Sequence, residues 1–230
     1  MKKISFQTLL AGLSLILTVL AMVLIFFNTP IETTMGIVQK IFYVHVPAAM
    51  LMYTGFVVCS AASLIYLLKP AKIWDNVAIV GAELGLLFGV FVLISGPLWG
   101  LKAWGKAWVF DPQLTSALML FLMYGGYALL RMFSGTSRQI RQIAAVLAVI
   151  SATMIPVVHW AVSVWGGIHP TVERDGGGGM HPDMALAFGV SMLGFLFLSI
   201  AIFWAQVSIK REALKLESLY IDLEDYLKSK

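Results

Sequence analysis

The chain alternates long apolar runs with short polar punctuation, and the runs are longer than soluble core helices need. Apolar residues run from about Ile4 to Phe27, Val44 to Leu68, Val77 to Gly96, Leu114 to Leu130, Ile143 to Val158 and Met184 to Ile209. About 20 helical residues cross a bilayer's hydrocarbon core. The pattern predicts spans at approximately 4–27, 44–68, 77–96, 114–130, 143–158 and 184–209, the fifth a little short and starting nearer Gln139. The first run ends in Phe26-Phe27-Asn28-Thr29-Pro30 rather than a small-residue cleavage site, so an uncleaved span is expected. Pro47 stands at the start of the second span, where a first-turn proline is tolerated, and Gly96-Pro97 closes the third. In the tail 210–230, Leu214, Leu216, Leu219, Leu223 and Leu227 mostly keep helical spacing and predict a surface helix. The fold class is an all-α polytopic membrane protein, a single domain over 1–230 with about six transmembrane helices and a site in its outer-face loops.

Composition agrees. Charged residues make up 12%, against about 25% in soluble domains. Lysines and arginines set the orientation, because cytoplasmic segments carry them in excess. Lys2, Lys3, Lys69, Lys72, Arg131, Arg138, Arg141, Lys210, Arg211, Lys215, Lys228 and Lys230 fall on one side; Lys40, Lys102, Lys106 and Arg174 fall on the other. The split of 12 against 4, summing to the 16 in the chain, places the first set and both termini in the cytoplasm. The net charge of +4 therefore reflects sidedness and not nucleic acid. Cys59 is the single cysteine, which excludes a disulfide framework, a thiolate metal site and a CxxCH haem attachment within the chain. No GxxxxGK[ST] nucleotide motif occurs.

One stretch fits neither span nor ordinary loop. Residues 97–113 form a tryptophan-rich outer loop with Trp99, Trp104 and Trp108, three of the 7 tryptophans. Indoles favour a membrane–water boundary, so an interfacial anchor is one reading and a flat platform for a planar ligand the other. All 4 histidines, His45, His159, His169 and His181, fall on the same outer side. Imidazole is a common axial ligand of haem iron. Haem needs an aromatic floor, axial nitrogens and cations at its rim, and the outer segments hold all three types, the cations being Lys102, Lys106 and Arg174.

Three motifs together resemble a known family. Trp99 to Thr115 is similar to the tryptophan-rich "WWD" signature of haem-handling membrane proteins. Tyr43-Val44-His45-Val46-Pro47-Ala48-Ala49 resembles the segment before their second span, and Val158-His159-Trp160 with Trp165-Gly166-Gly167-Ile168-His169 resembles their last outer loop. The resemblance is to the cytochrome c maturation C family, CcmC, and covers nearly the whole chain. It implies haem b, transiently bound, with His45 and His169 as axial ligands of the iron. It maps the porphyrin platform to Trp99, Trp104, Trp108 and Asp111, with His159 as a secondary residue. It implies non-catalytic delivery of haem, at the outer face of the cytoplasmic (inner) membrane, to a periplasmic haem chaperone. The implied partners are ABC-type ATPase and membrane subunits, a small single-span accessory subunit and membrane lipid, with no nucleic acid. Ala107 and Phe110 stand where that signature commonly has tryptophans, Gln113 where it has arginine and Ala117 where glutamate often follows.

Two other functions compete. A b-type electron-transfer subunit would place histidine pairs mid-membrane, and no histidine falls there. A secondary transporter would show repeats and broken helices with polar groups at the midplane, of which only Glu83 gives a hint. Glu83 reads either as a functional ionisable group or as a carboxyl kept neutral or bonded to a helix neighbour. Asp111-Pro112 also reads as a helix N-cap.

Overall fold

The computed structural model describes residues 6–135, 137–167 and 180–228. Its helices are α1 (Phe6–Val23), α2 (Phe42–Leu68), α3 (Lys72–Trp104), α4 (Pro112–Phe133), α5 (Arg138–Ala152), α6 (Met154–Trp165) and α7 (Pro182–Lys228). No strand forms among the described residues. Of the described stretches, 6 are long and apolar enough to cross a membrane, with α5 and the start of α6 acting as one. The protein is therefore an all-α, multi-pass membrane protein. His169, Arg174 and the glycine run 176–179 lie outside the described residues.

The tightest crossing is between α2 and α3, and glycine makes it possible. Gly81, Gly85 and Gly89 recur every fourth residue along α3, so they share one helix face. A Cβ on Gly55 of α2 would lie 2.5 Å from the Gly85 nitrogen, and one on Gly81 would lie 2.7 Å from the Cys59 nitrogen. Bare backbones thus touch, which supplies the close packing that holds helices together where the solvent is itself apolar. Polar groups inside the bundle are satisfied between helices. Phe56 of α2 stacks on Tyr124 of α4 with centroids 3.9 Å apart. Ser60 meets the Tyr124 hydroxyl at 2.5 Å and donates to the Ala148 carbonyl of α5 at 2.8 Å.

The first helix is fastened to the last and to the start of α2. Phe6 meets Trp204 edge-to-face, and a Cβ on Gly194 would lie 3.2 Å from the Thr18 nitrogen, so α1 and α7 run antiparallel. After α1 the chain widens into a single turn with i→i+5 bonding, Leu24–Asn28. Its orphan carbonyls take the Lys40 ammonium, which donates to Ile25 O at 2.5 Å and to Phe26 O at 3.2 Å. Lys40, one of the four cations expected on the outer side, is thus a buried helix cap. In the turn that follows, the N–H groups of Met35 and Thr34 donate to the Glu32 carboxylate and hold its pKa below the ordinary 4.5.

Prolines did not stop helices where the pattern predicts. The α2 helix begins at Phe42, so Pro47 falls inside it rather than in its first turn. Pro47 has no N–H for the Tyr43 carbonyl, and Ser191 of α7 donates to that carbonyl instead, at 2.5 Å. Likewise α3 continues through Gly96-Pro97 to Trp104 and ends only at Gly105, in the left-handed conformation with φ 70°. Proline did act in the fifth span: Pro156 denies an N–H to Ala152, and α5 gives way to α6 at Thr153. The tail is not a separate surface helix but a continuation of α7, 47 residues in all and about 70 Å at about 1.5 Å per residue.

At the end of the bundle opposite His45, charges pair between helices. Arg131 of α4 donates to Asp75 of α3 at 2.8 Å, and Arg141 of α5 lies 3.3 Å from the same oxygen. Glu83 pairs with Lys210 of α7 at 3.1 Å. The Glu83 carboxylate thus has a lysine partner on another helix, rather than a neighbour on its own helix.

Candidate functional site

The antiparallel crossing of α2 and α3 brings the start of one to the end of the other. This places His45, in the first turn of α2, beside Ser95 and Gly96 on the last turns of α3. His45 Nδ1 lies 2.8 Å from Ser95 Oγ. Ser95 Oγ in turn donates to the Phe91 carbonyl, four residues back on its own helix, at 2.6 Å. A Cβ on Gly96 would lie 3.4 Å from His45 Cε1, so the imidazole edge rests against bare backbone.

The extension of α3 carries the aromatic residues onward from this point. Trp99 stands one turn beyond Ser95 and donates from Nε1 to Gln39 at 3.4 Å. Trp104 meets Trp99 edge-to-face, centroids 5.4 Å apart at 84°. Gly100 lies beneath Trp104; a Cβ there would come within 3.1 Å of the indole. These two tryptophans therefore stand on a helix, and only residues 105–111 form a loop. In that loop Trp108 packs edge-to-face on Phe110, 6.5 Å apart, and Phe110 is 84% exposed. Trp99, Trp104 and Trp108 are each half-buried, with part of every indole open at this end of the bundle.

Asp111 is buried and caps α4. Its carboxylate accepts from Gln113 N at 2.9 Å and Leu114 N at 3.0 Å, with Pro112 in the first helical position. The local signal in the sequence is thus fully expressed, and it fixes the direction in which the tryptophan loop leaves the membrane helix. His159 lies within α6 rather than at its end, on the exposed face; its buried neighbours Val158 and Ala161 face the bundle. It does not join the contact between His45 and Ser95. His181 precedes α7 and is exposed. Its Nδ1 accepts from Asp183 N at 3.3 Å and its carbonyl accepts from Ala185 N at 2.9 Å, which is the behaviour of a helix cap. Among the described residues no cluster of three or more His, Cys, Asp or Glu side chains is arranged to hold a bare metal ion.

Sequence reasoning singled out His45 and the tryptophans but passed over Ser95 and Gln39. Nothing in a single apolar run marks one serine. The available signal was register: with the second and third spans antiparallel, a residue just before Gly96 must face one just after the start of the second.

The match to known proteins extends over almost all of this framework. The family described as heme exporter protein C matches residues 3–219. The chain belongs to the heme exporter protein C family. The Heme exporter protein C of Bradyrhizobium diazoefficiens is 35% identical over 176 residues, covering 75% of this chain and 66% of that protein. Its counterpart from Rhodobacter capsulatus is 30% identical over 199 residues, 83% of this chain and 81% of that protein. A mitochondrial protein of Marchantia polymorpha, carrying a ccmC-like cytochrome c biosynthesis name, is 29% identical over 195 residues, 84% of this chain and 83% of its own length.

Proposed function

We propose that this protein binds haem as cargo at the outer face of the membrane and hands it on during cytochrome c maturation. The observation that carries the reading is the juxtaposition of His45 with the end of α3 that bears Trp99 and Trp104. An axial nitrogen and an aromatic surface at one bundle end are the two things a planar, apolar iron porphyrin requires. The family and the names of its relatives support haem as the ligand and cytochrome c biogenesis as the setting.

In this reading His45 and His169 ligate the iron from two segments far apart in the chain. Trp99, Trp104 and Trp108 hold the porphyrin face. Asp111 acts through the cap of α4 by setting the course of the loop, and His159, exposed on α6, is available at the rim. The chain supplies a binding site and no reaction of its own. The cargo passes to a periplasmic haem chaperone, and any ATP hydrolysis belongs to ABC-type partner subunits of the same complex, with a small single-span subunit alongside.

Absorption spectra of the purified full-length protein with haem test this directly. Wild type is expected to give a six-coordinate, low-spin iron spectrum. His45→Ala and His169→Ala should each leave a five-coordinate or empty site, with added imidazole restoring part of the signal. His181→Ala should keep the low-spin signature. An unchanged low-spin spectrum in either His45→Ala or His169→Ala overturns the assignment, and its loss in His181→Ala would move the ligand there.

A further inference from the structure

A histidine ligates a metal through one nitrogen only, and what the other nitrogen does decides which one. We infer that Ser95 is a positioning residue that holds His45 in the tautomer whose Nε2 carries the lone pair. The inference rests on the proposal that His45 is an axial ligand of haem.

The argument follows the protons. Ser95 has one hydroxyl hydrogen, and that hydrogen goes to the Phe91 carbonyl, 2.6 Å away. A carbonyl can only accept, so the direction of this bond is fixed. Toward His45 Nδ1, 2.8 Å away, Ser95 Oγ therefore presents a lone pair. Nδ1 must then donate, and the neutral ring carries its proton there. Nε2 is left as the basic nitrogen, which is the one an iron can take. The two bonds also reinforce each other, because a hydroxyl that donates becomes a better acceptor. His181 shows the opposite arrangement: its Nδ1 accepts a backbone N–H, so in the neutral ring the proton sits on Nε2.

The choice of a hydroxyl has a functional consequence. A carboxylate partner at Nδ1 would pull the proton and strengthen the imidazole as a donor to iron. A neutral hydroxyl accepting from Nδ1 has the same effect to a smaller degree while orienting the ring, which suits a carrier that must release its cargo. Ser95 is also well held: it sits on the helix that carries Gly96 against the ring edge and leads directly to Trp99 and Trp104.

The test uses the full-length protein in lipid bilayers, with Ser95→Ala, Ser95→Thr and His45→Ala beside wild type. Without haem, solid-state NMR of isotope-labelled histidine reads the tautomer. His45 should be protonated at Nδ1 in wild type and in Ser95→Thr, whose hydroxyl can reach the same carbonyl, and mixed in Ser95→Ala. With haem, Ser95→Ala should dissociate about 10-fold faster or more, the usual scale for losing an outer-shell partner, and Thr should restore wild-type behaviour. The haem midpoint potential should rise in Ser95→Ala, because a less basic imidazole stabilises ferric iron less. Ser95→Ala indistinguishable from wild type in tautomer, dissociation and potential overturns the inference, and so does a Ser95→Ala defect that Thr fails to rescue. If His45→Ala keeps the low-spin spectrum, the axial proposal falls and takes the inference with it, whatever the tautomer measurement shows.

Discussion

Trp104 tests whether the tryptophans of this protein are platform or anchor, because its surroundings serve either purpose. Its ring lies against Gly100 and Trp99, and it remains half-buried. An anchor needs only an amphipathic ring at the boundary; a platform needs a flat face held in one orientation. We expect Trp104→Ala and Trp108→Ala to lower haem occupancy while protein level and membrane insertion stay unchanged. Phenylalanine should be tolerated better than alanine at both positions, since it keeps a planar apolar face. Gly100→Ala should lower occupancy too, because its methyl would displace the Trp104 ring without removing any indole. The measurement is the ratio of bound haem to protein in purified membranes. A proportional fall in protein and haem would favour the anchor.

Among the elements, α2 and α3 show what an apolar pattern can and cannot specify. Runs this long specify spans by length alone, and all the expected spans are present. Their ends were less legible. Gly96-Pro97 reads as a stop, yet a proline removes a single donor, and the helix resumes for as long as its other groups are paired. Pro47 is paid for by Ser191, from the far end of the sequence, and no local reading of either residue could show it. We expect Ser191→Ala to orphan the buried Tyr43 carbonyl. Interhelical bonds in bilayers average about 0.6 kcal/mol. A buried acceptor left without any partner costs about 1–3 kcal/mol, and Tyr43 O has no helical N–H to fall back on, so the larger figure applies. Unfolding in mild detergent measures it; a loss within error of zero would mean the carbonyl finds another donor. The Gly81/Gly85/Gly89 repeat is a local four-residue spacing, yet the sequence reading passed over it as a packing face. Gly55→Ala should be at least as damaging as Ser191→Ala, because its Cβ would meet the Gly85 backbone, which cannot swing away.

For the whole molecule, the decisive feature is that opposite ends of the bundle carry different chemistry. Alternation of helices puts His45, the tryptophans and the caps of α4 and α7 at one end. At the other, Asp75 gathers Arg131 and Arg141 from two further helices, with side chains of Asp75 and Arg131 both only 8% exposed. The positive-inside rule counts those arginines as orientation signals but says nothing of whom they meet; cross-helix partners leave no local trace in sequence. Asp75→Asn keeps the shape and removes the charge, leaving two guanidinium groups facing each other. Breaking a buried pair from one side costs about 3–5 kcal/mol, so this variant should fall well below wild type in thermal stability. Replacing Asp75 and Arg131 together by leucine and methionine should recover part of the loss; failure to recover any would show that Arg141 alone also needs the carboxylate.

That charged end also fixes how the molecule should sit. Arg131, Arg138 and Arg141 belong to the larger cationic set, so the cluster is expected in the cytoplasm and the His45 end outside. The expectation is sharp because the two ends cannot be exchanged without carrying 12 cations across the membrane in place of 4. Reporter domains fused after Arg138 should be active in the cytoplasm, and those fused within residues 176–179 should be active outside. Reversing the bias should be possible by design: removing Lys69, Lys72, Arg138 and Arg141 together while adding lysines near Lys102 should weaken the preference and produce mixed reporter signals. Wild-type fusions that reported the reverse at either position would put the imidazole and indole surface in the cytoplasm. Haem would then meet this site on the side where it is made, and delivery to an external chaperone would require a path through the bundle rather than capture at its outer end.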